Sequence, residues 1–358
     1  MGNLDSIKIS RFDLSEDKSL KGWNTADEYL VNHVLENEVG DKMAIYHDRF
    51  GYLSVHLNNY SPSIISGNRS QEKAIIKNVE KNGLLKTNFH SPIHNLDHLI
   101  TTALVKIPKS LPLFELYLWH IHKNSSNEVN VICAFMTKYF SKGMLKVAEK
   151  YFENVSQSRA VKKARLLELS VKKKVHSPQL ISSIPFNNSN YSQYLGVFSA
   201  GHIDYATQFF LDHIDLSGKP KSILDLASGN GIIATEISKR VKPNEIHLMD
   251  DSYLAVESSK LNDPNMEFTH HYNNDMSVFK EGQFDLIVTN PPFHFEYDIN
   301  IQVPITLLQS TFPYLKKGGS LQMVSNKHLN YKTHLSSVFS RVLILAENPK
   351  FVVYKCEK

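Results

Sequence analysis

Cysteine and tryptophan are scarce in this chain of 358 residues, with two of each. Cys133 and Cys356 each stand inside an apolar, strand-like run. No disulfide framework can hold the fold, and two isolated thiols assemble no zinc-type cluster, so no metal is expected. Long hydrophobic runs are missing as well. The longest, such as that around 343–346, fall far short of the roughly 20 apolar residues that cross a bilayer, and no membrane partner is expected. The N-terminus shows no basic region followed by an apolar core, so a secretory signal is not read and the cytoplasm is the default compartment. What remains is ordinary globular composition, 42 % hydrophobic and 21 % charged, at a length that suits two domains.

The charge is unevenly spread. Residues 1–185 hold 25 basic against 18 acidic residues, and the remainder 15 against 18. The net +4 is therefore a basic half joined to a slightly acidic one. Within 138–174 stand 11 basic residues (Lys138, Lys142, Lys146, Lys150, Arg159, Lys162, Lys163, Arg165, Lys172, Lys173 and Lys174) and three acidic ones. Such a stretch attracts a polyanion, and phosphate contacts dominate nucleic-acid affinity. Lys142, Lys146 and Lys150 also recur at helical spacing, which a plain solvated helix face explains equally well.

In the C-terminal half, apolar runs at 222–227, 245–250, 284–289 and 320–325 alternate with helix-like stretches such as 232–239 and 253–261. Runs that do not alternate strictly belong to strands covered on both faces, hence to a parallel sheet in an α/β fold. The run 351–354 follows Asn348-Pro349 turn chemistry and reads as a strand closing a hairpin. The N-terminal half repeats this order more weakly: 43–46 leads into Asp48-Arg49-Phe50-Gly51, 104–107 into Pro108-Lys109, and 129–135 into Met136-Thr137-Lys138-Tyr139. Spacings between landmarks agree to within a few residues. Two copies of one fold are expected, residues 1–180 and 181–358, the first having lost its chemistry. Their boundary is read in the Ser-, Asn- and Pro-bearing segment 175–194.

Three motifs carry chemistry. Asp225-Leu226-Ala227-Ser228-Gly229-Asn230-Gly231 is a strand running into a glycine turn and a helix. Glycine lets backbone approach a ligand, and the helix offers unpaired N–H groups. A full dinucleotide fingerprint needs a third glycine where Ala234 stands, so the loop alone is a weak sign and a tight structural turn explains it too. Asp250, 19 residues beyond Gly231, strengthens it, because a carboxylate ending the next strand can accept both ribose hydroxyls. Asp251 takes that role if the register differs by one, and either acid could instead cap the helix starting at Ser252. Asn290-Pro291-Pro292-Phe293 is the strong sign. It follows a buried strand at the edge where open α/β sheets bind ligands. The prolines fix the backbone and remove donors. An Asn oxygen and a proline carbonyl can accept both protons of a planar amine, and Phe293 offers a face for a base.

The combination Asp-x-x-x-Gly-x-Gly, Asp250 and Asn-Pro-Pro-Phe resembles the class I S-adenosylmethionine methyltransferases that modify exocyclic or amide nitrogens. With His294 after the motif, and Gly196-Val197-Phe198-Ser199 and Ile203-Asp204 upstream, it resembles the ribosomal RNA guanine-N2 methyltransferases. The terminal segments 325–331, 348–353, Arg11-Phe12 and 26–30, with 105–109 and 162–166, are closer to the large-subunit branch than to the small-subunit one. The resemblance implies two tandem class I methyltransferase-like (Rossmann-type) domains. The first would be degenerate and used for RNA recognition, and the second would bind S-adenosylmethionine. It assigns catalysis to Asn290, Pro291, Pro292 and Phe293, and cofactor binding to Asp225, Ala227, Gly229, Gly231, Asp250 and Asn274. Asn274 would lie near the adenine with Asp275 beside it, and Phe198 and Ser199 would help to cover the cofactor. One departure stands out: the family usually has Gly-Cys or Gly-Ser where this chain has Ala227-Ser228, which implies weaker cofactor affinity.

The reaction implied is methyl transfer to guanine N2 of 23S ribosomal RNA. Alternatives are the 16S counterpart, a DNA adenine or protein glutamine N-methyltransferase, and a non-enzymatic RNA-binding assembly protein. Among 17 histidines, His271 and His294 are read as surface or satisfied core residues rather than as bases, with a role in packing against a base left open for His294. The guanine modified, the choice between free RNA and assembled particle, and the oligomeric state are not legible.

Overall fold

The computed structural model describes residues 7–11, 20–199, 201–263, 265, 267–291 and 302–358. The chain divides into two compact units between Leu180 and Ile181.

In the first unit, strands β1 (Met43–Tyr46), β2 (Ser63–Ile65), β3 (Asn88–His90), β4 (Ile100–Lys106), β5 (Ser125–Met136), β6 (Phe152–Gln157) and β7 (Ala164–Lys172) form one sheet. Their order is β3-β2-β1-β4-β5-β7-β6. The second unit opens with a hairpin, β8 (Ile181–Phe186) and β9 (Ser189–Tyr194). Its main sheet holds β10 (Ser222–Leu226), β11 (Glu245–Asp250), β12 (Thr269–Tyr272), β13 (Phe284–Thr289), β14 (Leu315–Asn326), β15 (Arg341–Glu347) and β16 (Phe351–Glu357). The order is β12-β11-β10-β13-β14-β16-β15. Replacing each strand by its counterpart turns one order into the other. In both sheets five strands are parallel and the sixth position is antiparallel. The duplicated order expected from sequence is what the fold has.

The parallel strands form because their residues suit burial on both faces. Met43–Tyr46 and Ser222–Leu226 are buried throughout. Alternate residues of the second sheet feed two cores: Leu224, Leu226, Met249 and Ile287 pack on one side, and Ile223, Leu248, Leu286 and Val288 on the other. Each such side chain contributes about 1.5–3 kcal/mol. Strand order reverses between β10 and β13, which opens a crevice outside their carboxyl ends.

The strands and helices follow the apolar pattern closely. Residues 320–325 are the centre of a longer strand, Leu315–Asn326, and the strand read at 351–354 runs to Glu357. It pairs antiparallel with Arg341–Glu347 through a turn held by the Asn348 side chain, which accepts from the backbone of Lys350 and Phe351. The polar segment 175–194 departs from a plain linker. It contains the β8–β9 hairpin, turned by Asn187 and Asn188 at φ 45° and 59°, as a type I′ turn requires. Helix Lys142–Tyr151 buries Met144, Val147, Ala148 and Tyr151, leaving Lys142, Lys146 and Lys150 on its exposed side. Among the described residues no helix is long and apolar enough to cross a membrane.

Candidate functional site

Thr289, Leu226, Met249 and His271 stand in register across β13, β10, β11 and β12. The residues just past them leave the same edge of the sheet side by side: Asn290, the loop 227–231, Asp250, and Asn273 with Asn274. Neighbouring strands lie about 4.8 Å apart, so one small molecule can touch all four exits.

The glycine loop is shaped by left-handed residues. Ala227, Gly229 and Gly231 have φ of 57°, 56° and 79°. Gly231 turns directly into helix Ile232–Arg240. A methyl added there would meet Leu248 and Ser259 at 3.0 Å, so glycine is needed for close packing. Around Gly229 the same methyl would meet nothing within 4 Å. That position is glycine facing open space, where a ligand can approach the backbone. Ala227 occupies a left-handed conformation that costs an L-residue roughly 1 kcal/mol, which gives the departure from the family pattern its physical meaning.

Asp250 braces this loop. Its Oδ2 accepts from Gly229 N at 2.8 Å and its Oδ1 from Ser252 N at 2.8 Å. The helix cap is Ser252, which accepts from Ala255 N. Desolvation pushes Asp250 up to about 6, opposed by those two N–H donors. Asp225 is fully buried and its Oδ2 accepts from Ala234 N at 3.0 Å. Burial raises its pKa far above the usual carboxylate range.

Of the buried polar atoms without a protein partner among the described residues, Ser91, Ser125 and Arg165 carry some elsewhere, and four cluster here: Asp225 Oδ1, Ser228 Oγ, Asn274 Oδ1 and Thr289 Oγ1. All four belong to this one edge. Buried polar atoms are normally satisfied, so such a cluster marks a place where a ligand or water supplies the missing partners. Asn274 Oδ1 can accept from an amino group, Asp250 from hydroxyls, and Gly229 leaves room for the chain that joins them. The set fits a nucleoside carrying an amino-acid tail, as S-adenosylmethionine does.

Asn290 directs both amide protons inward, to Asp204 Oδ2 and Thr207 Oγ1, each at 2.9 Å. Pro291 is buried beside it. Pro292, Phe293 and His294 lie outside the described residues. Phe198 is 78 % exposed, and Ser199, at φ 63°, donates to the His202 carbonyl at 2.7 Å. His271 stacks on His247 and against Phe279, and burial lowers its pKa to about 4, so it is a neutral member of an aromatic cluster.

Sequence reasoning passed over Thr207 and quoted Asp204 only as part of a resemblance. Asp204 is the N-cap of helix Tyr205–His213, accepting from the backbone of Ala206 and Thr207. The acid-x-x-Thr spacing at a helix start was the available sign. It also passed over Gln193, buried in β9, which accepts from Asn230 Nδ2 at 3.2 Å and so braces the glycine loop from the hairpin.

Two family models match the chain, an RLMG N-terminal domain over residues 2–173 and a methyltransferase small domain over residues 189–355. A ribosomal RNA large subunit methyltransferase G from Colwellia psychrerythraea is 30 % identical, over 99 % of this chain and 98 % of that protein. The protein of the same name from Pseudoalteromonas translucida is 29 % identical over 99 % and 96 %. Among solved structures, a T. thermophilus 16S rRNA N2 methyltransferase in complex with AdoMet and guanosine shares the fold, with a TM-score of 0.78. It is 20 % identical, and the match covers 94 % of this chain and 93 % of that one.

Proposed function

The chain belongs to the ribosomal RNA large subunit methyltransferase G family, and from that premise we propose that it methylates the exocyclic N2 of a guanine in 23S ribosomal RNA, using S-adenosylmethionine. The observation that carries the reading is the edge where the glycine loop, Asp250 and Asn290 emerge side by side with unpartnered buried acceptors between them.

Asp250, Asn274 and the backbone at Gly229 would hold the cofactor, with Asp225 beneath the loop. When bound, that cofactor supplies an electrophilic methyl group on a sulfonium, whose sulfur leaves as a neutral sulfide and needs no acid. The protein's task is then the nucleophile. The guanine amino group is a poor one, because its lone pair is delocalised into the ring. The Asn290 oxygen and the Pro291 carbonyl would accept hydrogen bonds from its two N–H groups, favouring a pyramidal nitrogen and aiming its lone pair, and the surplus proton on the methylated nitrogen would pass to water. By the resemblance, Pro292 would hold the loop shape and Phe293 would stack on the base. Catalysis by these residues is positioning and electrostatics.

The first unit would serve RNA recognition. Its exposed Lys138, Lys142, Lys146, Lys162 and Lys163 suit phosphate contacts, whose affinity falls steeply with salt.

The test is transfer of tritiated methyl from S-adenosylmethionine to 23S rRNA, 16S rRNA, DNA and protein in parallel, with the modified nucleoside identified by chromatography. Label in N2-methylguanosine of 23S rRNA is expected. Asn290→Ala should lose about 10²–10³-fold in turnover while still binding the cofactor in calorimetry. Label in 16S rRNA would shift the assignment to the small subunit. Absence of both cofactor binding and label would favour an RNA-binding assembly role.

A further inference from the structure

We infer that Asp204 and Thr207 are positioning residues that fix which end of the Asn290 amide faces the substrate; the inference rests on the methyl-transfer reading above. An asparagine side chain is nearly symmetric in shape but not in chemistry, with two donors at one end and an acceptor at the other. Only the oxygen end can accept a hydrogen bond from an amine. Nothing in Asn290 itself decides which end points outward.

Its surroundings decide. Asp204 Oδ2 and Thr207 Oγ1 take the two amide protons at 2.9 Å. An ionised carboxylate accepts and never donates, so turning the amide over would set oxygen against oxygen and lose a charge-assisted hydrogen bond. Asp204 is itself held. The same Oδ2 receives the backbone N–H groups of Ala206 at 3.2 Å and Thr207 at 3.3 Å, in a first helical turn whose dipole favours an anion.

The first unit supplies an independent comparison. Tyr46 pairs with Val105 as Leu226 pairs with Thr289, so the first-unit counterpart of Asn290 is Lys106, the last residue of β4. Its ammonium contacts Asp27 at 2.5 Å and Asn24 at 3.0 Å. Asn24 is the N-cap and Asp27 the third residue of helix Thr25–Glu36, the positions that Asp204 and Thr207 hold on theirs. The donor half of the contact thus recurs in both copies. The acceptor half is found only where Asn290 stands.

The test is a series at position 204 that keeps the helix cap, because Asp, Asn and Ser cap about equally well. Asp204→Asn leaves a neutral oxygen for Asn290, and Asp204→Ser is too short to reach it. In the full chain, kcat for rRNA methylation should fall about 3–10-fold for Asp204→Asn and about 10–100-fold for Asp204→Ser. The melting temperature and the dissociation constant for S-adenosylmethionine should stay close to the parent values. Thr207→Val should add a smaller loss to either. Full turnover in Asp204→Ser, or a fall in kcat that tracks the melting temperature, overturns the inference. A parent chain inactive on rRNA overturns the methyl-transfer reading instead. The Asn290 side-chain amide protons, assigned by their absence in Asn290→Ala, then still decide the matter. Slow exchange in the parent and fast exchange in Asp204→Ser upholds the lock, and equal exchange refutes it.

Discussion

The two units carry the same clamp on different business. In the first, the Asn78 side chain accepts from Ser10 N and donates to the carbonyls of Ser10 and Phe50. In the second, Asn262 accepts from Ser192 N and donates to the carbonyls of Ser192 and Asn230. Phe50 and Asn230 occupy the same place in their loops, one residue before the left-handed Gly51 and Gly231. A methyl on Gly51 would strike Ile75 and one on Gly231 would strike Ser259, each the seventh residue of its helix. His47 and Ala227, the first residues past β1 and β10, are both left-handed. Side chains that would reach a ligand have diverged. Where the second unit has Asp225, Gly229 and Asp250, the register puts Ile45, Arg49 and Ser66 in the first. The first unit also fills the space above its sheet with Tyr46, Tyr117 and His120, the tyrosine hydroxyl of Tyr46 lying 2.9 Å from His120. An unpaired buried backbone group costs the fold whatever the protein does, so clamps persist. A ligand contact contributes nothing to the empty fold and is free to drift.

Moving first-unit residues into the second is the sharpest way to test this division. Gly229→Arg, copying Arg49, should abolish S-adenosylmethionine binding in calorimetry, because the side chain enters the open space beside the loop. It should lower stability only by the roughly 1–2 kcal/mol of a left-handed L-residue. Retained affinity would mean that the loop does not face the ligand.

Clamp removal is the next largest effect and should be alike in both copies. Asn78→Ala and Asn262→Ala should each destabilise by about 2–3 kcal/mol in urea, since each leaves buried backbone groups unpaired. Only Asn262→Ala should also weaken cofactor binding, through the Asn230 carbonyl. Unequal stability losses would break the equivalence.

Asp250 separates the units by pH. Its carboxyl titrates near 6 in the fold against an ordinary 3.8. The folded state therefore holds the proton more tightly. Stability from the neutral form is complete below about 4 and is lost as pH rises through 6, a penalty on the order of 3 kcal/mol. Asp250→Asn should melt higher than the parent at pH 7.5 and alike at pH 4. Hydroxyl donors from a ligand favour the ionised form, so parent affinity for S-adenosylmethionine should weaken as pH falls through 6, and that slope should vanish in Asp250→Asn. A parallel slope in both would assign the effect elsewhere.

The smallest expected change is Ala227→Gly. Relief of left-handed strain and the extra freedom of glycine in the unfolded chain nearly cancel, leaving stability within about 1 kcal/mol. Cofactor affinity should tighten modestly. Looser binding would show that the Ala227 methyl makes a favourable contact.

Legibility in the sequence followed the physics of each feature. Apolar runs such as 245–250 and 284–289 were read at their true bounds, because burial on both faces leaves an uninterrupted pattern. The β8–β9 hairpin was missed. Its alternating Ser, Asn and Tyr lie on a partly exposed two-stranded ribbon, and Asn187-Asn188 is a weaker turn signal than Asn-Gly. Gly229, Asp250 and Asn290 could be named from motif spacing alone. Thr207 could not, since its partner stands 83 residues away, and no local pattern records a contact of that span.

By itself the sequence determined the layer type, the doubled order of strands and the residues at the carboxyl edge, since periodicity and glycine chemistry act over a few neighbours. Only tertiary structure decided which atoms of those residues are already engaged: that Asp250 is tied to the glycine loop, that Asp225 is turned to a helix, and that the Asn290 amide nitrogen is held by Asp204 and Thr207. Those outcomes depend on strands brought into register across the sheet and on the donors and acceptors that meet there. Such meetings are set by packing of the whole chain.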